Sequence, residues 1–463
     1  MRSLGLLAVL RLGLFQGCLG CLAVIFSGLL NRVMISELAF PGLLVGGALA
    51  FEQFVAPARV LFGQISDSHP WWGRHRLPYI WLGTVLFCGF SVVSVPLIFH
   101  VGSLLDGADS VALTLGIAAL CGLFALYGLA VSLATTPYLA LVIDRTSEAE
   151  RPRAVGIIWC MLTVGIVIGA ILIAISLKSL DGVDDPAVLE PVLLQFMARV
   201  AAVVIGLTLV ATWGMEIPRR SMAAGFSQGR DDAITLAQAW ALITSSRQVL
   251  VFFAFLICFT LGLFLQDPIL ESYGAQVFAM PIAATASLNA FWGVGTLLGL
   301  LLAGLWLVPR LGKLATARLG CQLIVVTLGL LVLCGFSGSV AALKAVLLLF
   351  GLAAGIGTNS ALVLMLDLTL PQAAGTFVGV WGLAQALSRA LGKVIGGGLF
   401  DLGRWLQDAA GLGEDPLPAY ALVLLVEMAV ALLALVFLAR VNLRQFREDT
   451  GRTLSKVLAL ELG

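Results

Sequence analysis

A chain of 463 residues that is 60% hydrophobic and only 11% charged, with 51 glycines, excludes a soluble globular domain. Its formal net charge of +1 distinguishes no class of partner, so the informative quantity is where the cations lie along the chain. Crossing a bilayer takes about 20 predominantly apolar residues. Cut on that criterion, the sequence gives twelve runs, at 8–31, 41–63, 79–101, 111–136, 154–177, 192–215, 248–265, 282–308, 319–336, 340–366, 376–399 and 419–439. The expected fold is an all-α membrane protein of twelve transmembrane helices in two pseudo-symmetric six-helix halves.

The first run is long enough to span and lacks a convincing small-residue cleavage site, so it reads as span 1 rather than as a signal peptide. Span 2 carries Glu52 and Gln53 near its middle and Arg59 seven residues later. On a continuous helix Glu52 and Arg59 share a face about 10 Å apart, too far to pair, so each needs another partner. After span 2 come Gly63-Gln64-Ile65-Ser66-Asp67 and Gly73-Arg74-His75-Arg76. A carboxylate here can pair with Arg and reach a helix N-terminus, so the loop can latch helices that rock against each other. Trp71, Trp72, Tyr79 and Trp81 follow as an aromatic belt expected at a membrane interface.

Asp144-Arg145-Thr146 leads to Val155-Gly156, and Asp367-Leu368-Thr369 leads to Val378-Gly379 at the same spacing, a weak internal repeat. The first copy is charged, through Glu148, Glu150, Arg151 and Arg153, where the second has Pro371, Gln372, Ala373 and Ala374. The counterpart of the Gly63 motif, Gly304-Leu305-Trp306-Leu307-Val308 with Gly312-Lys313, lacks the acid, so the halves are not expected to gate alike. The expected latch set is Gly63, Asp67, Gly73, Arg74, Arg76, Asp144, Arg145 and Arg153. The longest polar interruption follows span 6 and sets the expected division: residues 1–216, a connector at 217–247 with one amphipathic surface stretch from Ile234 to Ile243, residues 248–440, and a tail at 441–463. With both ends cytoplasmic, most of the 27 Lys and Arg fall on the cytoplasmic side.

Ionisable groups inside hydrocarbon cost about 2.5 to 3.5 kcal/mol each on insertion scales, which makes them functional candidates. Gln385, Arg389 and Lys393 recur every four residues and form one polar stripe on span 11; Glu427 lies in span 12. Either Glu52, Arg389, Lys393 and Glu427 form buried ion pairs, or some of them bind a polar cargo or relay a proton. Snorkelling or loop contacts are expected for Arg59 and Lys393, and a cavity role for Glu52 and Arg389. Glycine pairs such as Gly165 with Gly169, Gly295 with Gly299 and Gly351 with Gly355 read as close helix packing. All eight cysteines fall in apolar runs, and Cys18 with Cys21 has no second pair to complete a metal set, so they read as packing residues. His69, His75 and His100 sit at span edges, and no P-loop, nucleophile elbow or metal-ligand pair occurs, so no enzymatic activity is expected.

The loop after span 2 resembles that of major facilitator transporters, although Asp67 and Gly73 are six apart where three is usual. Four stretches resemble the PucC family, the bacteriochlorophyll-delivery branch of that superfamily: Leu30 to Pro41, read as the start of the second helix; Val55-Ala56-Pro57-Ala58-Arg59; the His-Arg-x-Pro-Tyr form of the loop; and Gln266 to Gly274. The motif residues are Asn31, Arg32, Glu37, Arg59, Gln266, Asp267, Glu271 and Tyr273. Phe62 to Asp67 with Gly73 to Arg76 resembles cyanobacterial members more than purple-bacterial ones. The resemblance implies a factor in a photosynthetic or plasma membrane that presents chlorophyll or bacteriochlorophyll to antenna polypeptides, with pigment-synthesis enzymes as further partners.

A chlorin magnesium takes an axial ligand, often His; with none mid-membrane, Gln53, Asn289, Asn359, Gln385 or a water remain, and His100 lies near the end of span 3. The expected cargo set is Glu52, Gln53, Gln385, Arg389, Asn289 and Asn359. Two other readings stay open: a proton-coupled transporter of a small organic solute using Glu52 or Glu427, and a scaffold for antenna subunits without pigment.

Overall fold

The computed structural model describes residues 5–105, 107, 110–146, 151–180, 185–216, 247–367, 374–411, 415–442 and 445. The expected connector and tail, with the charged stretch 147–150, fall almost wholly outside the described residues.

The described chain is helical: α1 Leu6–Glu37, α2 Gly42–Phe54, α3 Ala58–Ser68, α4 Leu77–Leu105, α5 Ser110–Arg145, α6 Arg151–Ser176, α7 Pro186–Thr212, α8 Arg247–Phe264, α9 Leu270–Gln276, α10 Ile282–Leu311, α11 Lys313–Ser337, α12 Val340–Asp367, α13 Ala374–Ala410 and α14 Leu417–Ala439. Among the described residues ten helices are long and apolar enough to cross a membrane. The helices at the two remaining expected spans, 2 and 11, fall outside this set. Span 2 is split into α2 and α3 at Val55-Ala56-Pro57, where the proline ring removes a backbone donor. Span 11 is the 37-residue α13, whose polar stripe lowers its hydropathy.

Two boundaries differ from expectation. Leu30 to Glu37 ends α1 rather than starting the next helix, because π-helical turns at Val24–Leu29 and Val33–Glu37 carry the helix past residue 31. Span 7 stops at Phe264 and resumes as the seven-residue α9 after Gln266-Asp267-Pro268. Pro268 cannot donate, and the break occupies the position equivalent to the first π-helical turn of α1.

The equivalence rests on backbone geometry 240 residues apart. Ala39 and Ala279 both turn with φ 52. The Phe40 amide bonds the Met34 carbonyl at 2.8 Å, and the Met280 amide bonds the Gly274 carbonyl at 3.1 Å. Pro41 and Pro281 then start α2 and α10. We call this the turn end of the bundle and the end carrying residues 69–76 the loop end.

Helices pack within each half as α4 on α5, α1 on α6, α10 on α12 and α11 on α12, while α2 on α13 and α6 on α10 join the halves. Both kinds of seam use absent side chains. A Cβ at Gly165 would overlap the Gly17 carbonyl, and one at Gly397 would overlap that of Gly42. The expected packing role of the glycine pairs is met at Gly295, Gly299, Gly351 and Gly355, each of which lies on partner backbone.

Candidate functional site

At the turn end, the π-helical segment of α1 meets the break between α8 and α9. Asn31 Nδ2 donates to the Asp267 carbonyl at 3.3 Å and to Glu271 Oε2 at 3.4 Å, and Asn289 Nδ2 donates to Glu271 Oε1. The break supplies this site, since an intact helix would leave no free carbonyl at Asp267. Arg32 donates to Thr285 Oγ1 at 3.0 Å and pairs with Glu37 at 3.3 Å. One step along the seam, both Asp401 oxygens accept from the first amides of α2, Gly42 at 2.6 Å and Leu43 at 2.7 Å. Asp401 therefore caps a helix of the other half, where negative charge is favoured. Tyr273 donates to the Leu331 carbonyl at 2.8 Å and packs edge-on against Phe278. The motif residues Asn31, Asp267 and Glu271 thus meet in one interlock, with Arg32 and Glu37 next along α1, while Tyr273 ties α9 to α11.

Deeper in the bundle lies a second group. Lys393, only 6% exposed, pairs with Asp267 Oδ2 at 3.5 Å. Of the two outcomes expected for Lys393, snorkelling or a loop contact, it makes the second from a buried position, because the broken span 7 brings an acid to it. The Arg389 guanidinium lies over the Phe264 ring at 4.5 Å. Glu52, half-buried, feels Lys393, Asp267, Arg59 and Arg389 as its charged neighbours. Glu52 and Arg59 do not share one continuous helix face as expected, because the chain breaks between them. Gln53 and Gln385 are half-buried, and Gln266 is buried with its amide donating to Leu263 O at 3.2 Å. Asn359 donates to the Leu300 carbonyl at 3.0 Å and ties α12 to α10. The fully buried Glu427 carboxyl lies against the Leu265 and Gln266 amides and completes no hydrogen bond there.

At the loop end, Arg76 donates to Ser66 Oγ at 2.7 Å and pairs with Asp144 at 3.3 Å. Glu216 accepts from the amides of His75, Arg76 and Leu77, at 2.5, 3.1 and 2.9 Å, and so caps the start of α4. Gly73 turns with φ 71 and Gly63 lies in α3, whereas the side chains of Asp67 and Arg153 are outside the described residues. Arg74 and Arg145 are half-buried beside this latch. Trp71 stacks on Tyr79, and Trp81 stacks on Trp213 and donates to Thr212.

Asp401 and Glu216 were missed by the sequence reading. Their only local signal was an acid at the edge of an apolar run, since the amides that they cap lie 359 and about 140 residues away. Among the described residues no group of three His, Cys, Asp or Glu is assembled.

Residues 29–446 match the family model described as PUCC protein. A Rhodobacter capsulatus protein described as an uncharacterized protein in the puhA-bchM intergenic region is 31% identical over 452 residues, 94% of this chain and 89% of that one. The bacteriochlorophyll synthase 44.5 kDa chain of the same species is 31% identical over 423 residues, 89% of this chain and 91% of that one. A crystal structure of a bacterial homologue of the human lysosomal transporter Spinster superposes with a TM-score of 0.69 at 16% identity, over 96% of this chain and 98% of that one, which fixes the fold. With its interlock built from the motif residues and its bundle built as a major facilitator, the chain belongs to the PUCC protein family.

Proposed function

We propose that this protein is a membrane assembly factor that binds chlorophyll or bacteriochlorophyll and delivers it to light-harvesting antenna polypeptides. Family membership and the relative named for bacteriochlorophyll synthesis support a role with this pigment class. The observation that carries the reading is the engagement of the interior charges with each other. Lys393 is held by Asp267, Glu271 by Asn31 and Asn289, and Arg32 by Glu37 and Thr285. Groups so engaged lock helices together and are not displayed to a polar solute in transit. The protein is read as a carrier and not as the enzyme that makes the pigment. It sits in the photosynthetic or plasma membrane with both termini cytoplasmic, and antenna polypeptides and pigment-synthesis enzymes are its partners.

Deleting the gene in a phototrophic host and recording whole-cell absorption tests this. The expected result is loss of antenna bands while free pigment is still made. Intact antenna bands, with loss of uptake or export of a small solute, would support the alternative, a proton-coupled secondary transporter. The unpartnered Glu427 carboxyl and the half-buried Glu52 favour that second reading.

A further inference from the structure

One well-formed hollow lies within the first half, away from the seam between the halves. It is a groove of about 540 Å³ between α1, α6 and α7, within the range of small-molecule sites. Its floor follows from the glycine seam. Gly17 of α1 and Gly165 of α6 bring the two backbones into contact, and Cys18 and Cys21 add only short side chains. Larger residues line the rims, and many of them, including Ile168, Leu172 and Val203, are exposed on the outside of the bundle. The groove therefore opens sideways, to where lipid chains lie.

Two side chains in it are out of place for a lipid face. Gln195 and Arg199 are one turn apart on α7, both exposed and both lining the groove. Arg199 is the midpoint of α7 (Pro186–Thr212), about 20 Å from either end at 1.5 Å per residue. Among the described residues it has no ion pair. A guanidinium at that depth is costly unless an acceptor meets it.

Resting on the pigment reading above, we infer that this lateral groove is the pigment site. The chlorin macrocycle lies on the Gly17–Gly165 floor, Gln195 offers its amide oxygen to the central magnesium, and Arg199 donates to a ring carbonyl. The chemistry matches on each count. A chlorin is soluble in the bilayer and enters from the side; its faces and tail are apolar; its keto and ester oxygens accept hydrogen bonds; and its magnesium takes one axial oxygen or nitrogen ligand. None of the six residues expected to bind cargo lines this groove.

The full-length protein is purified in mild detergent from a pigment-synthesising host, as wild type and as Gln195→Leu, Arg199→Leu, Val203→Trp and Gln385→Leu. Extracted pigment per protein and the resonance Raman carbonyl stretch are recorded. Val203 faces outward, so a Trp there fills the groove without disturbing the core. Expected are pigment in the wild type and in Gln385→Leu, and a loss of about tenfold in Gln195→Leu, which corresponds to about 1.4 kcal/mol of binding. Val203→Trp is expected to lose pigment comparably. Arg199→Leu keeps part of its pigment but shifts the carbonyl stretch to that of a free carbonyl. Wild-type pigment and spectrum in all three groove variants, with loss in Gln385→Leu, would overturn the site and leave the pigment reading standing. So would extraction of phospholipid alone from the groove of a pigment-bearing preparation. A wild-type protein without pigment would overturn the reading itself, and the site with it.

Discussion

Asn31 and Glu271 are partners across the seam between the halves, 3.4 Å apart, and they occupy equivalent positions 240 residues apart in the two repeats. A residue that bonds to its own counterpart lies beside the axis relating the halves. The contact is therefore central to the bundle, and any rotation of one half against the other must stretch or slide it. An amide facing a carboxylate also removes the self-repulsion that two acids at this place would have.

Glu271→Ala is expected to cost more stability than Glu271→Gln. Alanine leaves the Asn289 amide without its acceptor, a loss of about 1–3 kcal/mol for an unsatisfied group, and leaves Asn31 with the Asp267 carbonyl alone. Glutamine retains one carbonyl acceptor. Thermal melting in detergent, followed by fluorescence-detected size exclusion, checks the order. Equal midpoints for the two variants would remove Glu271 from its place as the hub of the interlock.

The Lys393–Asp267 pair is unequal, with side-chain exposures of 7% and 38%. Asp267→Asn should therefore be the more damaging change, because it leaves a buried ammonium without its anion, whereas Lys393→Met leaves an acid that can still turn toward water. The double variant is expected to melt closer to wild type than Asp267→Asn alone. A double-variant cycle that gave no coupling would show that the two groups act independently.

Which features were legible in the sequence follows from their range. Spans were readable because burial in lipid demands long apolar runs, and the glycine pairs were readable because helix contact repeats every four residues. The partner of Lys393 was not legible because it sits in a helix break, and a break moves an acid to a depth that linear spacing does not give. Pro57 likewise interrupts the continuous helix on which Glu52 and Arg59 were expected to lie. Asp401 and Glu216 were invisible for a different reason: each caps a helix that folding, not sequence, brings near. Arg199 did carry a signal, as an ionisable residue well inside an expected span, and it was passed over in favour of the stripe on span 11.

Asp401→Ala is expected to release the start of α2. A helix cap contributes about 1 kcal/mol, up to about 2 in favourable cases, and this one accepts from two successive amides. Hydrogen exchange read by mass spectrometry should show faster exchange in the peptide covering Gly42 to Phe54 and unchanged exchange in α4. Asp401→Asn should fall between wild type and Ala, since its amide oxygen can still accept one bond. Unchanged exchange in α2 after Asp401→Ala would mean that the α2–α13 contact is held by the glycine seam alone.

Gly165 offers the most stringent test of the packing. A Cβ there would overlap the backbone carbonyl of Gly17, which cannot rotate away as a side-chain tip would. Overpacking costs about 1–3 kcal/mol where neighbours can shift, and two helix backbones in contact have little room to do so. Gly165→Val is therefore expected to abolish accumulation in the membrane. Gly122→Val should accumulate as wild type does, because nothing lies within 4 Å of the position that its Cβ would take. Immunoblotting of membrane fractions distinguishes the two. Normal levels of Gly165→Val would mean that α1 and α6 can separate by the width of a side chain, and the groove that their contact floors would then be wider than 540 Å³ in the bilayer.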